Sequence, residues 1–166
     1  MTANDLKKIV NKVGIYVVSA LIYSLIIFFF TSSFWDFLFF LIGAILGVSF
    51  TMFDEEYLFS FYQDKDLDKN FSVKKFFVTR SPLYILALIP TAIFVFTSSG
   101  SFFAMGFMGG LILFFIVEMF RKLANPSFFF AKFLAGVKVE PTKQSLQKII
   151  AGSVLFFLIL HLLVLL

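Results

Sequence analysis

The chain has 166 residues, of which 60% are hydrophobic and 14% charged, with a mean hydropathy of +0.98 and a formal net charge of +4. A soluble domain of this length needs a polar surface and carries about 25% charged residues, so the composition excludes an ordinary water-soluble protein. The absence of cysteine excludes disulfides and thiolate chemistry, and the lack of basic residues interleaved with aromatic rings argues against a nucleic-acid partner.

Five apolar stretches predict an all-α fold, a polytopic membrane protein with a bundle of about five transmembrane helices. They place the helices at about residues 13–32, 36–55, 81–98, 101–121 and 147–166. A helix rises ~1.5 Å per residue and needs about 20 residues to cross a hydrocarbon core of ~30 Å, which is close to the length of each stretch. Residues 1–166 are therefore interpreted as a single membrane domain.

The basic residues predict the orientation of these helices. All 14 lie on the same side of the predicted helices, in the N-terminal segment and in segments 54–81 and 121–148, whereas the turns SSFWD and TSSGS contain none. Because basic segments remain in the cytoplasm, the N-terminus is expected inside and the C-terminus outside. The membrane is predicted to be the bacterial cytoplasmic membrane.

The segment 121–148 contains a predicted interfacial helix at residues 126–138. Asn125 is a suitable N-cap and Pro126 a suitable first helical residue. Phenylalanines recur on one face, and Lys132 and Lys138 are placed to contact lipid phosphates at the inner leaflet. An ordinary linker packed under the bundle explains the same pattern equally well.

Small residues in the second and fourth helices mark faces that contact protein. Gly43 and Gly47 are four residues apart in the second helix, and Gly106 and Gly110 are four apart in the fourth. Glycines at this spacing allow two helix backbones to approach closely in a membrane. We therefore expect these four positions to be helix-packing positions.

Both glycine faces lead to carboxylates at the cytoplasmic side. Asp54 and Glu55 follow the second helix, Glu118 lies near the end of the fourth, and Arg80 lies at the entry to the third. A charge that faces the bundle near lipid is costly unless it is paired, so such residues are candidates for function. These four residues are the candidate catalytic residues.

Two interpretations of this cluster remain open. In the first, Arg80 bridges to Asp54 and pins the helix ends without any substrate. Glu118 would then pair with Arg121 or Lys122 on its own helix. In the second, the carboxylates of Asp54, Glu55 and Glu118 bind a divalent ion while the Arg80 guanidinium holds a phosphate, since hard cations accept oxygen ligands alone.

Three stretches around these residues resemble motifs of a family of bacterial inner-membrane proteins, the membrane-bound metal-dependent hydrolases of the LexA-regulated type. They are LGVSFTMFDEEY (46–57), VTRSPLY (78–84) and GGLILFFIVEMF (109–120). In this resemblance Asp54 and Glu118 match the family's acids and Arg80 its arginine. The family's histidines are replaced in this chain by Tyr57, Thr79 and Phe114. The resemblance implies a degenerate member without its histidine ligands.

The functional prediction is a non-catalytic scaffold or accessory subunit of a membrane assembly, without a cofactor. Its expected partners are membrane lipids and other membrane-protein subunits. The alternative is a degenerate hydrolase-like protein that would use Mg²⁺ or Mn²⁺ at the cytoplasmic surface. A transporter fits less well because the helices lack broken, polar segments at mid-depth. His161, the single histidine, is expected to form a hydrogen bond to another helix, since no second His or Cys could complete a metal site with it.

Overall fold

The computed structural model describes residues 3–31, 33–53, 82–133 and 142–165. These residues form α-helices and, within the described ranges, no strand, which confirms the all-α class. The helices are α1 (Ala3–Phe28), α2 (Phe34–Phe53), α3 (Pro82–Ser98), α4 (Phe102–Arg121), α5 (Pro126–Phe133) and α6 (Lys143–Leu165).

Three of the helices are long and apolar enough to cross a membrane, as expected of an integral membrane protein. They are α2, α4 and the Lys143–Val164 part of α6. Two shorter apolar helical segments, Val13–Phe28 and Pro82–Ser98, run beside them. The outer faces are apolar as well: Leu155 and Leu162 of α6 are more than half exposed. A surface of this kind is stable in lipid and would aggregate in water.

The central element of the bundle is α4. Two thirds of its apolar span is buried inside the protein (67%), compared with 33% for α2 and 11% for α6. It packs against α1, α2, α3 and α6, and its contact with α2 is the most extensive in the bundle. Side chains on α4 therefore meet partners from several helices, whereas α6 presents most of its surface outward.

Glycines bring the backbones of α2 and α4 into direct contact. A Cβ atom added at Gly43 would lie 2.9 Å from the amide nitrogen of Phe107, and one added at Gly47 would lie 3.0 Å from the carbonyl carbon of the same residue. The contact is reciprocal, because Cβ atoms at Gly106 and Gly110 would lie 2.9–3.0 Å from backbone atoms of α2. Close backbone approach of this kind is the usual basis of helix association in membranes.

The helices alternate in direction. The glycine contacts advance together along the two helices, because Gly43 meets Phe103 and Gly47 meets Phe107, so α2 and α4 run parallel. Tyr16 of α1 contacts Glu118, and Tyr23 contacts Gly109, so α1 runs antiparallel to α4. The C-terminal parts of α1, α3 and α6 meet around His161. The basic residues at the ends of α1, α4 and α6 consequently gather at one end of the bundle: Lys7, Lys8, Lys12, Arg121, Lys122, Lys143 and Lys148.

The short helix α5 begins at Pro126. The side-chain oxygen of Asn125 accepts a hydrogen bond from the Ser127 hydroxyl at 2.8 Å. Phe129 and Phe130 are both buried in the core of the bundle. The described part of α5 thus packs its aromatic side chains against protein. Lys132 lies within α5, and Lys138 lies outside the described residues.

Candidate functional site

One member of the predicted cluster lies in the described part of the chain. Asp54, Glu55 and Arg80 fall in segment 54–81, outside the described residues. Glu118 lies on α4, three residues before the helix ends at Arg121, and is only 3% exposed. A nearly inaccessible carboxylate must be satisfied by partners within the protein or by a bound ion.

Two side chains contact Oε2 of the Glu118 carboxylate. The Tyr16 hydroxyl of α1 donates a hydrogen bond to Oε2 of Glu118. The Arg121 guanidinium donates from Nη1 to the Tyr16 hydroxyl at 2.6 Å and lies 3.4 Å from the same Oε2. Tyr16 therefore accepts one hydrogen bond and donates another, so the single proton of its hydroxyl is already used.

Aromatic packing fixes this group in place. The Tyr16 ring, 1% exposed, stacks on Phe114 of α4 with ring centroids 4.7 Å apart. The Arg121 guanidinium carbon lies 5.3 Å from the centre of the Tyr16 ring, within the range of a cation–π interaction. Hydrogen bonds to a charged partner are stronger than neutral ones, so the group joins α1 firmly to the end of α4. We call Tyr16, Glu118 and Arg121 the tyrosine clamp.

Sequence reasoning anticipates the pairing of Glu118 with Arg121 on its own helix as one alternative, but it misses Tyr16. A signal is present in the spacing. Tyr16, Ala20 and Tyr23 recur at intervals of three and four residues, and all three are buried on one face of α1. A hydroxyl on the protein-facing side of an apolar helix requires a polar partner, and Glu118 is that partner.

A second polar contact joins α1 to α6. The Tyr23 hydroxyl lies 2.7 Å from Nε2 of His161, and Nδ1 of His161 lies 2.7 Å from the carbonyl oxygen of Phe157. A carbonyl can only accept, so Nδ1 carries the proton and Nε2 accepts from Tyr23. This confirms the expected hydrogen bond between His161 and another helix. The imidazole also packs against Phe96 of α3, with ring centroids 5.1 Å apart.

Gly109 of α4 makes room for Tyr23. A Cβ atom at this position would lie 2.9 Å from Cε1 and Cζ of the tyrosine ring. The tyrosine is thus held between α4 and His161, with its hydroxyl directed to the imidazole. The contact between Tyr23 and His161 has a structural role, because the tyrosine hydroxyl and both imidazole nitrogens already have hydrogen-bond partners.

Replacing His161 by leucine should destabilise the protein modestly, because the Tyr23 hydroxyl then lacks its acceptor. Hydrogen bonds between membrane helices contribute about 0.6 kcal/mol on average and about 1.7 at most. Thermal unfolding in detergent of His161→Leu, of Tyr23→Phe and of the double variant would give the interaction energy between the two side chains. Ser19→Ala is the control, since the Ser19 hydroxyl bonds to the Ile15 carbonyl of its own helix. Strictly additive effects of the two substitutions would contradict this role.

Among the described residues, no group of three or more His, Cys, Asp or Glu side chains lies close enough to hold a metal ion. No protein-family model matches the chain, and neither a curated protein nor a solved structure shows significant similarity to it. The resemblance to the LexA-regulated hydrolases therefore stays a prediction from the quoted motifs.

Proposed function

We propose that the chain crosses the bacterial cytoplasmic membrane five times, with its N-terminus inside. The three long apolar helices support this, as do the two shorter apolar segments that run beside them. The alternating helix directions bring the basic residues at the ends of α1, α4 and α6 to one end of the bundle. The positive-inside rule then assigns that end to the cytoplasm.

Single cysteines can test this topology because the chain has none of its own. Ser99→Cys lies in the exposed turn between α3 and α4, and Ser127→Cys lies exposed at the start of α5. A membrane-impermeant maleimide should label the first in intact cells and the second only after permeabilisation. The cysteine-free parent is the control for background. Labelling in the reverse order would contradict the proposed orientation.

We propose that the protein is a non-catalytic scaffold or accessory subunit of a membrane assembly. The observation that carries this proposal is the tyrosine clamp: the one described residue of the candidate catalytic cluster is already engaged by Tyr16 and Arg121. A carboxylate held in this way stabilises the bundle. The close contact of α2 with α4 supports the same proposal, because it makes a rigid centre for the bundle and leaves the outer faces of the other helices available to partner subunits.

Native-mass measurement of the tagged chain, produced at its natural level and extracted in a mild detergent, would test the scaffold proposal. One 19.0 kDa chain with its detergent and lipid sets the minimum particle mass. We expect a larger particle that contains a second membrane protein in a fixed ratio to this chain. Glu118→Gln should leave that ratio unchanged if its fold is retained. A particle containing this chain alone would contradict the proposal.

The hydrolase-like alternative depends on Asp54, Glu55 and Arg80, which lie outside the described residues. It remains a prediction, and it would require Mg²⁺ or Mn²⁺. Glu118 could contribute only Oε1 to such a site without disturbing its contacts, since Tyr16 and Arg121 both contact Oε2. Metal binding and stability of variants at Glu118 therefore bear on both functions.

A further inference from the structure

An apolar groove of about 460 Å³ runs between α3, α4 and α6. Its walls are mainly aliphatic and aromatic side chains, with Ser153 as a polar member, and its size falls within the range of small-ligand sites, about 300–1,000 Å³. A whole helix, ~10 Å across with its side chains, is too wide for such a space, whereas a single hydrocarbon chain is narrow enough. The lining includes Leu88, Ile112, Ile116, Met119, Ile149 and Phe156.

The groove begins at the basic end of the bundle and extends toward its middle. Phe129 of α5, Met119 near the end of α4 and Ile149 near the start of α6 line the first part. Ile112 and Phe156 lie about two turns deeper along their helices. A ligand that fills it would therefore have its apolar part along the membrane normal and its other end near the membrane surface.

Two lysines lie near the end of the groove at the membrane surface. Lys148 precedes Gly152, a lining residue of α6, by four residues and therefore lies on the same face of that helix. It is exposed. Just beyond the end of α4, Lys122 follows the lining residue Met119 by three residues. An apolar groove with two lysines placed at its surface end matches the two ends of an anionic lipid.

We propose that this groove is a binding site for one anionic glycerophospholipid of the adjoining leaflet. An acyl chain lies between α3, α4 and α6, and the lipid phosphate lies beside Lys148, with Lys122 near by. This goes beyond the scaffold function and rests only on the placement of the bundle in a membrane. The lipid would fill a space that the helices leave open and would fix the position of α6, the least buried of the three long apolar helices.

Gly152 offers a direct test because a Cβ atom added there would meet nothing within 4 Å. Gly152→Leu should fill the groove without disturbing the helices. Gly14→Leu is the matched control, since Gly14 of α1 also has nothing within 4 Å and lies away from the groove. Lys148→Gln removes the charge at the opening and leaves the apolar walls intact.

Native mass spectrometry of the detergent-purified protein, titrated with palmitoyl-oleoyl phosphatidylglycerol or with the corresponding phosphatidylcholine, would measure binding. We expect one tightly retained phosphatidylglycerol, with affinity reduced about ten-fold or more by Gly152→Leu and unchanged by Gly14→Leu. Lys148→Gln should reduce affinity for phosphatidylglycerol about five-fold and affinity for phosphatidylcholine less. Circular dichroism of each variant confirms that it is folded.

Two results would overturn the proposal. Equal retention of phosphatidylglycerol by the wild type and Gly152→Leu would show that lipid binds elsewhere. Loss of a partner subunit from Gly152→Leu, with lipid retention unchanged, would show that the groove receives a protein side chain or helix edge. Neither result decides the scaffold proposal, because the test of that proposal measures the subunit ratio and not lipid binding.

Discussion

Replacing Gly47 by leucine is expected to separate α2 from α4 and to destabilise the protein more than any substitution at Glu118 or His161. A Cβ atom at Gly47 would lie 3.0 Å from the carbonyl carbon of Phe107 and 3.1 Å from the amide nitrogen of Leu111. These are backbone atoms of a buried helix, so they cannot rotate away as a side chain could. Overpacking in a protein interior typically costs about 1–3 kcal/mol, and because leucine extends well beyond the Cβ we expect a cost of about 3 kcal/mol.

Thermal unfolding in detergent, followed by circular dichroism, would measure this effect. A loss of 1 kcal/mol lowers Tm by about 2–4 °C in a protein of this size, so a cost of about 3 kcal/mol should lower the Tm of Gly47→Leu by about 6–12 °C. Gly47→Ala should fall between the wild type and leucine. Gly14→Leu is the control for adding leucine at an uncrowded helix position. A Tm for Gly47→Leu equal to that of the control would contradict the close contact of α2 and α4.

Removing the carboxylate of Glu118 is expected to have the second largest effect. Glu118→Ala leaves the Tyr16 hydroxyl without its acceptor and Arg121 without its counter-charge. Breaking a fully buried ion pair costs about 3–5 kcal/mol. The Arg121 side chain is 32% exposed and can turn toward solvent, so we expect a smaller cost of about 2 kcal/mol.

Related variants separate the contributions within the tyrosine clamp. Glu118→Gln should be milder than Glu118→Ala, because the amide oxygen still accepts from Tyr16. Tyr16→Phe removes the hydroxyl and keeps the stacking on Phe114. In a thermal-unfolding cycle, the double variant Tyr16→Phe, Glu118→Ala should be less destabilised than the sum of the two single changes. Wild-type stability of Glu118→Ala, with Ser19→Ala as the neutral reference, would contradict the clamp.

The helical class and the apolar spans could be predicted from the sequence because lipid imposes a simple requirement. A segment that crosses the lipid must form its backbone hydrogen bonds internally, as a helix does, and must remain apolar over about 20 residues. Both α2 and α4 meet these conditions. The helix bounds are harder to predict. In α1 the helix extends back to Ala3 through a polar stretch that lacks the apolar signal. An apolar stretch therefore predicts the part of a helix that lies in the membrane, but it does not predict where the helix begins or ends.

The partners of individual side chains could not be predicted, because they depend on which faces meet in three dimensions. Glu118 is recognisable from its own helix, where Arg121 is three residues away. Tyr16, its hydrogen-bonding partner, is 102 residues away in the chain. The sequence shows that a hydroxyl and a carboxylate exist on apolar helices, but only the antiparallel packing of α1 and α4 brings them together. The same holds for Tyr23 and His161.

Glu118 joins α1 to α4, and we propose that it does not also hold a metal. Binding of Mn²⁺ to the detergent-purified protein, followed by electron paramagnetic resonance, distinguishes the two roles in the wild type, Glu118→Gln and Asp54→Asn. We predict no Mn²⁺ binding that depends on Glu118, together with a lower Tm for Glu118→Gln. Saturable Mn²⁺ binding that both substitutions abolish, with Tm unchanged, would contradict the account and favour the hydrolase-like alternative.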